Sequence, residues 1–399
     1  MSKISITTLG SLIEFQRGYD LPKTSFVEGD VPVISSNGIL GYHNEYKVKG
    51  PGITIGRSGT VGLPHYIEEN FYPHNTSLFI KDFKGNNPKY IYYLLKTLGL
   101  NDRGSGSGVP TMNRNHLHPL KVRAYLNPIY QEGIANVLTS IDSKIALNNR
   151  INAELEAMAK TVYDYWFVQF DFPFDFAQGK PNASGKPYKS SGGKMVWSEE
   201  LKREVPEGWG LKSLGDYADI RRGELITAKD TEQGNIKVVA AGIDYSYTHS
   251  KSNKDSNTIT ISGSGANAGY INFWREPIFA SDCITVRANS DTETLILLQF
   301  LKAHQIHILN QAKGSAQPHV YPSDIKILNY PIAPKELLDL YGDIVIPLNN
   351  RIANNQQENQ QLSSLRDWLL PMLMNGQVKV GEVEAEVLRA AEPGAEYRK

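Results

Sequence analysis

The feature that most constrains this chain is that it says nearly the same thing twice. Thr8-Leu9-Gly10, Arg17-Gly18, Ile53-Thr54-Ile55 with Ser58-Gly59, Gly106-Ser107 with Pro110, and Asn148-Asn149-Arg150-Ile151 form one ordered set of words. Ser213-Leu214-Gly215, Arg222-Gly223, Ile259-Thr260-Ile261 with Ser264-Gly265, Gly314-Ser315 with Pro318, and Asn349-Asn350-Arg351-Ile352 answer it in the same order. The offset stays between 201 (Asn148 to Asn349) and 208 (Gly106 to Gly314), so the chain is a tandem duplication. Each copy is long enough to bury its own core, unlike a solenoid module. Two like domains predict two like binding events.

The 399 residues allow two or three domains, and the duplication selects two. With 40% hydrophobic and 21% charged residues the composition is that of a globular protein. No apolar run is long enough to span a bilayer and no signal peptide precedes the first repeat, so a cytoplasmic location is expected. The single cysteine, Cys283, excludes an intrachain disulfide and reads as a small buried hydrophobe. Net charge is zero but segregated: about +5 over residues 1–130, about −4 over 131–175, about −3 over the last 65, and near neutral over 213–334. A chain of this balance that bound DNA would need a partner for part of the phosphate neutralisation.

Within each copy the pattern moves from period two to period 3.6. Residues 31–35, 52–56 and 76–80, then 236–241, 257–262 and 283–287, are short β-branched runs divided by Gly, Asn and Ser, and read as strands. Short helices are expected at Pro88 to Leu98 and Thr292 to Ala303. Ile134, Leu138, Ile141, Ile145, Ile151, Leu155, Met158 and Val162 then mark a long helix from about Gln131 to Trp166. Its counterpart runs from about Lys335 to Leu370, with Pro347 as a candidate kink and Pro371 as the expected end. Apolar stripes of that length call for each other, and Asn148, Asn355 and Asn359 fall near the seam. Phe174 to Lys194 reads as an exposed linker or long loop, and the acidic, Ala-rich tail from Gly376 receives no role.

Catalytic signatures are weak. Ser262-Gly263-Ser264-Gly265-Ala266-Asn267-Ala268-Gly269 imitates a dinucleotide fingerprint, but strand-like Tyr270 to Trp274 follows where a helix must open, so a glycine-rich turn between strands is the better reading. Asn127-Pro128-Ile129-Tyr130 resembles an amino-methyltransferase tetrapeptide without its second proline, and reads better as the entry to the long helix. His116 with His118, and His304 with His307, lack the further ligands of a metal site or the partners of a triad.

What remains are polar loops at matching places. The glycine turns hold Arg57, Ser58 and Thr60 in one copy and Ser262, Ser264 and Asn267 in the other. The later loops hold Ser107, Thr111, Asn113 and Arg114 in one, and Ser315, Gln317, His319 and Tyr321 in the other. Arg17, Asn37, Arg221 and Arg222 complete the candidate DNA-binding set. Such side chains read donor and acceptor patterns on base edges, while Arg and Lys hold phosphates. The loops align between copies yet differ in identity, as two readers of different sequences would. No catalytic or metal-ligating residue is assigned.

Two blocks are family-specific. Phe172-Pro173-Phe174-Asp175-Phe176, Gly185 to Gly193 and Glu204-Val205-Pro206-Glu207-Gly208-Trp209 resemble the entry to the second target-recognition domain in specificity subunits of type I restriction-modification systems. Leu365 to Val378 resembles the end of their distal helix. The resemblance implies an α+β fold: two tandem mixed target-recognition domains (1–130 and 206–334), with long helices at 131–170 and 335–375 packed as an antiparallel coiled coil, a linker at 171–205 and a tail at 376–399. It implies a non-catalytic chain that reads both halves of a bipartite, asymmetric site in double-stranded DNA and docks two modification subunits and the restriction subunits. S-adenosylmethionine then belongs to the modification subunits, ATP and Mg to the restriction subunits, and no cofactor to this chain. A coiled-coil scaffold with protein-binding domains, and a degenerate self-contained adenine methyltransferase, are the competing readings.

Overall fold

The computed structural model describes residues 4–103, 111–311 and 318–381. It divides into two units, Met1–Leu147 with Glu358–Lys399, and Asn148–Gln357.

In the first unit, Ile4–Thr8 (β1) leads through a short helix, Leu9–Leu12 (α1), into Glu14–Arg17 (β2), Val31–Ser35 (β3), Gly38–His43 (β4), Gly52–Gly56 (β5), Pro64–Ile67 (β6), Tyr72–Pro73 (β7) and Ser77–Asp82 (β8). Pro88–Lys96 (α2), Arg114–Leu117 (α3) and Lys121–Tyr125 (β9) follow. Three sheets result: β2-β8-β5-β6, β4-β3-β7 and β1-β9. Strand β5 is buried along its whole length, with Ile53 and Ile55 both at 0% exposure, which is why its sequence is continuously β-branched rather than alternating. Helix α2 starts on the Asn87 side chain, which accepts the Tyr90 N–H at 3.1 Å, with Pro88 pre-set at the first turn.

Pro128–Tyr163 (α4) opens on Asn127, whose Oδ1 accepts the Ile129 N–H at 2.9 Å. It runs on into one π-helical turn, Asp164–Val168. The second unit then adds Pro173–Asp175 (β10), Lys180–Pro181 (β11), Lys186–Pro187 (β12), Met195–Ser198 (β13) and Arg203–Pro206 (β14). These form a three-stranded sheet, β11-β10-β12, and a β13-β14 pair, so the linker expected at 174–194 is instead folded. Aromatic packing explains it: Phe172 stacks on Tyr188 at 4.8 Å and on Trp209 at 5.9 Å, and Phe174 meets Tyr188 edge-on at 4.9 Å. Glycine and serine content hid that cluster.

Beyond it, Gly210–Ser213 (β15), Leu214–Tyr217 (α5), Asp219–Arg222 (β16), Ile236–Val239 (β17), Tyr245–His249 (β18), Thr258–Ser262 (β19), Ile271–Trp274 (β20), Ile278–Ala280 (β21) and Cys283–Arg287 (β22) precede Asp291–Ala303 (α6), Gln305–Gln311 (α7), Pro322–Lys326 (α8) and Asn329–Ile332 (β23). Their sheets are β16-β22-β19-β20, β18-β17-β21 and β15-β23. Strand for strand this repeats the first unit, down to the parallel pairs β3·β7 and β17·β21 inside otherwise antiparallel sheets. The duplication read from words is thus a duplication of topology.

The last helix, Lys335–Met374 (α9), continues past Pro371, which was expected to end it. Leu369, Leu370, Leu373 and Met374 are buried in the first unit's core, and the Pro371 carbonyl still accepts the Asn375 N–H at 3.0 Å. Burial of that final turn outweighs the one hydrogen bond a proline removes.

Each unit contains a segment of α4 and a segment of α9, paired antiparallel. In the first unit Arg366 Nη1 donates to Asp142 Oδ1 at 2.9 Å, Tyr93 from α2 donates to Asp142 Oδ2 at 2.7 Å, and Lys144 pairs with Glu358 at 3.4 Å. In the second, Asn355 Nδ2 donates to Asn152 Oδ1 at 2.8 Å and the Tyr341 hydroxyl reaches the Ala159 carbonyl at 3.4 Å. Arg275, with only 8% of its side chain exposed, ties that pair to the sheets through Glu156 at 3.0 Å and Asn349 at 2.8 Å.

Candidate nucleic-acid interface

Each unit brings its two polar loops together by the same device. In the first, the chain leaves β5 at Gly56, where a Cβ would lie 1.8 Å from the Thr60 carbonyl oxygen, so only glycine admits so tight a turn. The Arg57 and Ser58 N–H groups donate to the Thr76 carbonyl at 2.8 and 3.1 Å. Ser58 forms an antiparallel bridge with Thr111, and Met112 N–H donates to the Arg57 carbonyl at 2.8 Å. In the second unit Ser264 bridges His319 in the same sense, Gly265 N–H donates to the Pro318 carbonyl at 3.0 Å, and Val320 N–H donates to the Gly263 carbonyl at 3.1 Å. Sequence similarity placed these loops in register, and the bridges place them in contact.

The ends of β2 and β16 arrive beside these loops for a shared reason. A Cβ on Gly18 would sit 2.1 Å from the His74 carbonyl oxygen, and one on Gly223 would sit 2.2 Å from that of Ser281. The two glycines therefore let backbone lie on backbone, which fixes the preceding Arg17 and Arg222.

In the first unit Arg17, Arg57, Asn113 and Arg114 line one open concavity of about 690 Å³, with Gln16 and Tyr19. Arg17 pairs with Asp20 at 3.2 Å, and Asp20 also accepts from the Asn75 amide. Among the described residues no carboxylate pairs with Arg57 or Arg114, so the hollow carries excess positive charge suited to phosphate or the acceptor edge of guanine. Asn113 also caps α3, accepting the Asn115 N–H at 2.9 Å. Thr60 and Asn37 are exposed, on the glycine turn and on the β3–β4 turn.

The second unit is built differently. Arg222 Nη2 donates to Asp282 Oδ1 at 2.7 Å, and Ser264 Oγ donates to Asp282 Oδ2 at 3.1 Å. The Arg222 hydrogen bond holds the Asp282 carboxyl below its ordinary range against the opposing effect of burial, with help from Ser264 and the charge of His319. His319 and Tyr321 stack with centroids 6.1 Å apart. Arg221 pairs with Asp219 on the same strand, and Asn267 lies exposed on the turn. Ser262, proposed from sequence as a surface reader, is 3% exposed and donates to the Ala241 carbonyl at 2.6 Å, because it ends β19, a strand between β22 and β20 that is buried on both faces. Ser107, Ser315 and Gln317 lie outside the described residues.

Asp282 and Asp20 were not singled out from sequence. A lone acid in a polar loop looks like solvated surface, and Asp282 matches Thr76 in the other copy, since Cys283 pairs with Ser262 as Ser77 pairs with Gly56. Only the partners reveal it.

The remaining chemical motifs have structural duties. Asn127 caps α4, Ser262 to Gly269 makes a turn between β19 and β20, His118 Nε2 accepts the Phe15 N–H at 3.0 Å, and His304 Nδ1 lies 2.8 Å from the Phe300 carbonyl. Among the described residues no three His, Cys, Asp or Glu side chains are grouped to hold a metal, and no helix is long and apolar enough to cross a membrane.

The chain is 25% identical to the type I restriction enzyme MjaIX specificity subunit of Methanocaldococcus jannaschii, over 92% of this chain and 91% of that one. It is 22% identical to the HindI specificity subunit of Haemophilus influenzae, over 62% and 67%. The crystal structure of a type I restriction-modification system S subunit from M. genitalium has a similar fold, with a TM-score of 0.62 at 19% identity over 93% of this chain and 96% of that chain. The model of the type I restriction modification DNA specificity domain matches residues 1–157 and again 206–364. Because that match covers most of the chain, once over each of the two copies that fold alike, the chain belongs to the family of type I restriction-modification DNA specificity domains.

Proposed function

We propose that this chain is the DNA-reading, non-catalytic member of a type I restriction-modification complex, and that its two domains each read one half of a bipartite, asymmetric site. The observation that carries this is the pairing of sameness and difference: one topology, one loop bridge and one framework glycine in both units, with Arg57, Asn113 and Arg114 in the hollow of one and Arg222, Asp282, His319 and Tyr321 at the bridged loops of the other. A shared frame with unlike readers is what an asymmetric target needs. The segments of α4 and α9 set the unspecified spacer and receive two modification subunits, with restriction subunits joining the assembly. Methyl transfer with S-adenosylmethionine and ATP-driven, Mg-dependent cleavage belong to those partners. A net charge of zero fits a reader whose partners share the phosphate contacts.

Co-expression with modification subunits, followed by single-molecule methylation sequencing of host DNA, tests this. The expected result is methyladenine confined to one split motif with two unlike halves. Methylation without sequence preference, or at a single continuous motif, would remove the proposal.

A further inference from the structure

We infer that Arg222 is a guanine-reading side chain of the second domain and that Asp282 is the residue that positions it. This rests on the proposed function and names the base that one of its side chains selects. A bidentate arginine on guanine O6 and N7 needs a guanidinium that is accessible yet held in one plane. Arg222 meets both conditions. Its side chain is 60% exposed, and Asp282, 28% exposed, grips one edge of the fork at 2.7 Å. Of the five guanidinium donors, that contact leaves enough for a two-bond contact with a base.

The grip is itself fixed. Ser264 Oγ donates to the other carboxylate oxygen, and Ser264 is bridged to His319, so both polar loops bear on the same acid. The backbone below Arg222 is equally constrained, since Gly223 N–H donates to the Cys283 carbonyl at 2.8 Å where no side chain fits.

The first domain lacks this arrangement. Arg17 stands at the matching place, but its partner Asp20 comes from three residues along the same strand end and is 72% exposed, and Thr76 occupies the position of Asp282. The carboxylate behind Arg222 is therefore a property of one reader and not of the common frame. Fixing a charged fork before DNA arrives lowers the ordering cost of the contact and sharpens discrimination.

The test uses the whole chain assembled with its modification subunits and a plasmid library randomised over the second half-site, read by methylation sequencing. Asp282→Asn keeps the shape and removes the charge. Arg222→Lys, at an exposed position, keeps the charge and removes the fork. Both are expected to lower the preference for guanine at the same single position by about ten-fold or more, with the first half-site unchanged and the double variant no worse than either single one. Asp282→Glu is expected to restore part of the preference. Reduced methylation of all sites with base preferences intact would assign Asp282 a merely structural role and overturn the inference. So would effects of the two variants at different positions, or a position that does not prefer guanine in the unaltered complex. Loss of any split motif in the unaltered complex would instead overturn the function on which the inference rests.

Discussion

At the scale of the residue, Cys283 and Asp282 are neighbours with opposite fates. Asp282 is drawn into an ion pair, whereas Cys283 is buried, and burial pushes its thiol up to about 12. The unfolded thiol ionises near 9, so from pH 9 to about 12 the unfolded chain releases a proton that the folded chain retains. The contribution of Cys283 to stability is then fully present below pH 9 and is lost as pH rises toward 12. The native chain is expected to resist iodoacetamide at pH 8 and to be labelled only as urea unfolds it. Rapid labelling without denaturant would show that this strand opens on its own. Cys283 was legible from sequence as a small buried hydrophobe, because a single cysteine with no ligand partners has few other roles. Asp282 was not, because its meaning lies in Arg222 and Ser264, which are 60 and 18 residues away in sequence.

At the scale of the element, the long helices were the most legible part of the chain, since apolar spacing over ten turns has no competing explanation. Their seam was read only in part. Asn148 and Asn355 are indeed buried and Asn359 is half-buried, but the partner of Asn355 is Asn152, a position sequence did not single out. Periodicity gives a face, whereas a buried amide finds its partner by rotation about the axis, which neighbouring sheets decide. Asn355→Leu strands the Asn152 carbonyl oxygen in the seam and is expected to cost about 1–3 kcal/mol. Replacing both asparagines with leucine is expected to recover most of that loss. Urea midpoints of the three chains check this, and a double variant at least as unstable as the single one would show that the amide pair matters for more than its own hydrogen bond. The second misjudged element, the folded stretch after α4, failed for the opposite reason. Its Gly, Ser and Pro content fits a loop, and the rings that its alternating Phe172 and Phe174 meet, Tyr188 and Trp209, lie too far along the chain for a local pattern to link them, yet they meet at 4.8 to 5.9 Å.

At the scale of the whole molecule, one frame used twice makes the two readers separable. Arg57→Ala is expected to change base preference in one half of the methylated motif and His319→Ala in the other, with neither altering both. Asn113 also caps α3, so Asn113→Ser, which retains a capping oxygen, separates its reading role from its structural one. Methylation sequencing of each variant gives the answer, and a substitution that relaxes both halves together would argue against independent readers. Charge belongs to this scale as well. With 42 basic and 42 acidic side chains, the isolated chain is expected to bind DNA weakly and with a shallow salt slope. The slope steepens by about 0.9 for each phosphate contact the modification subunits add. The sequence by itself determined the duplication, the β-branched strands at 31–35, 52–56 and 76–80 with their counterparts, the long helices and the positions of the polar loops, because period and repeated glycines are local or self-referential signals. The tertiary structure alone decided that each pair of loops is bridged, that Ser262 turns inward, and that an acid sits behind Arg222. Those facts depend on which strands become neighbours, and strand order is set by packing across the whole unit rather than by any window of sequence.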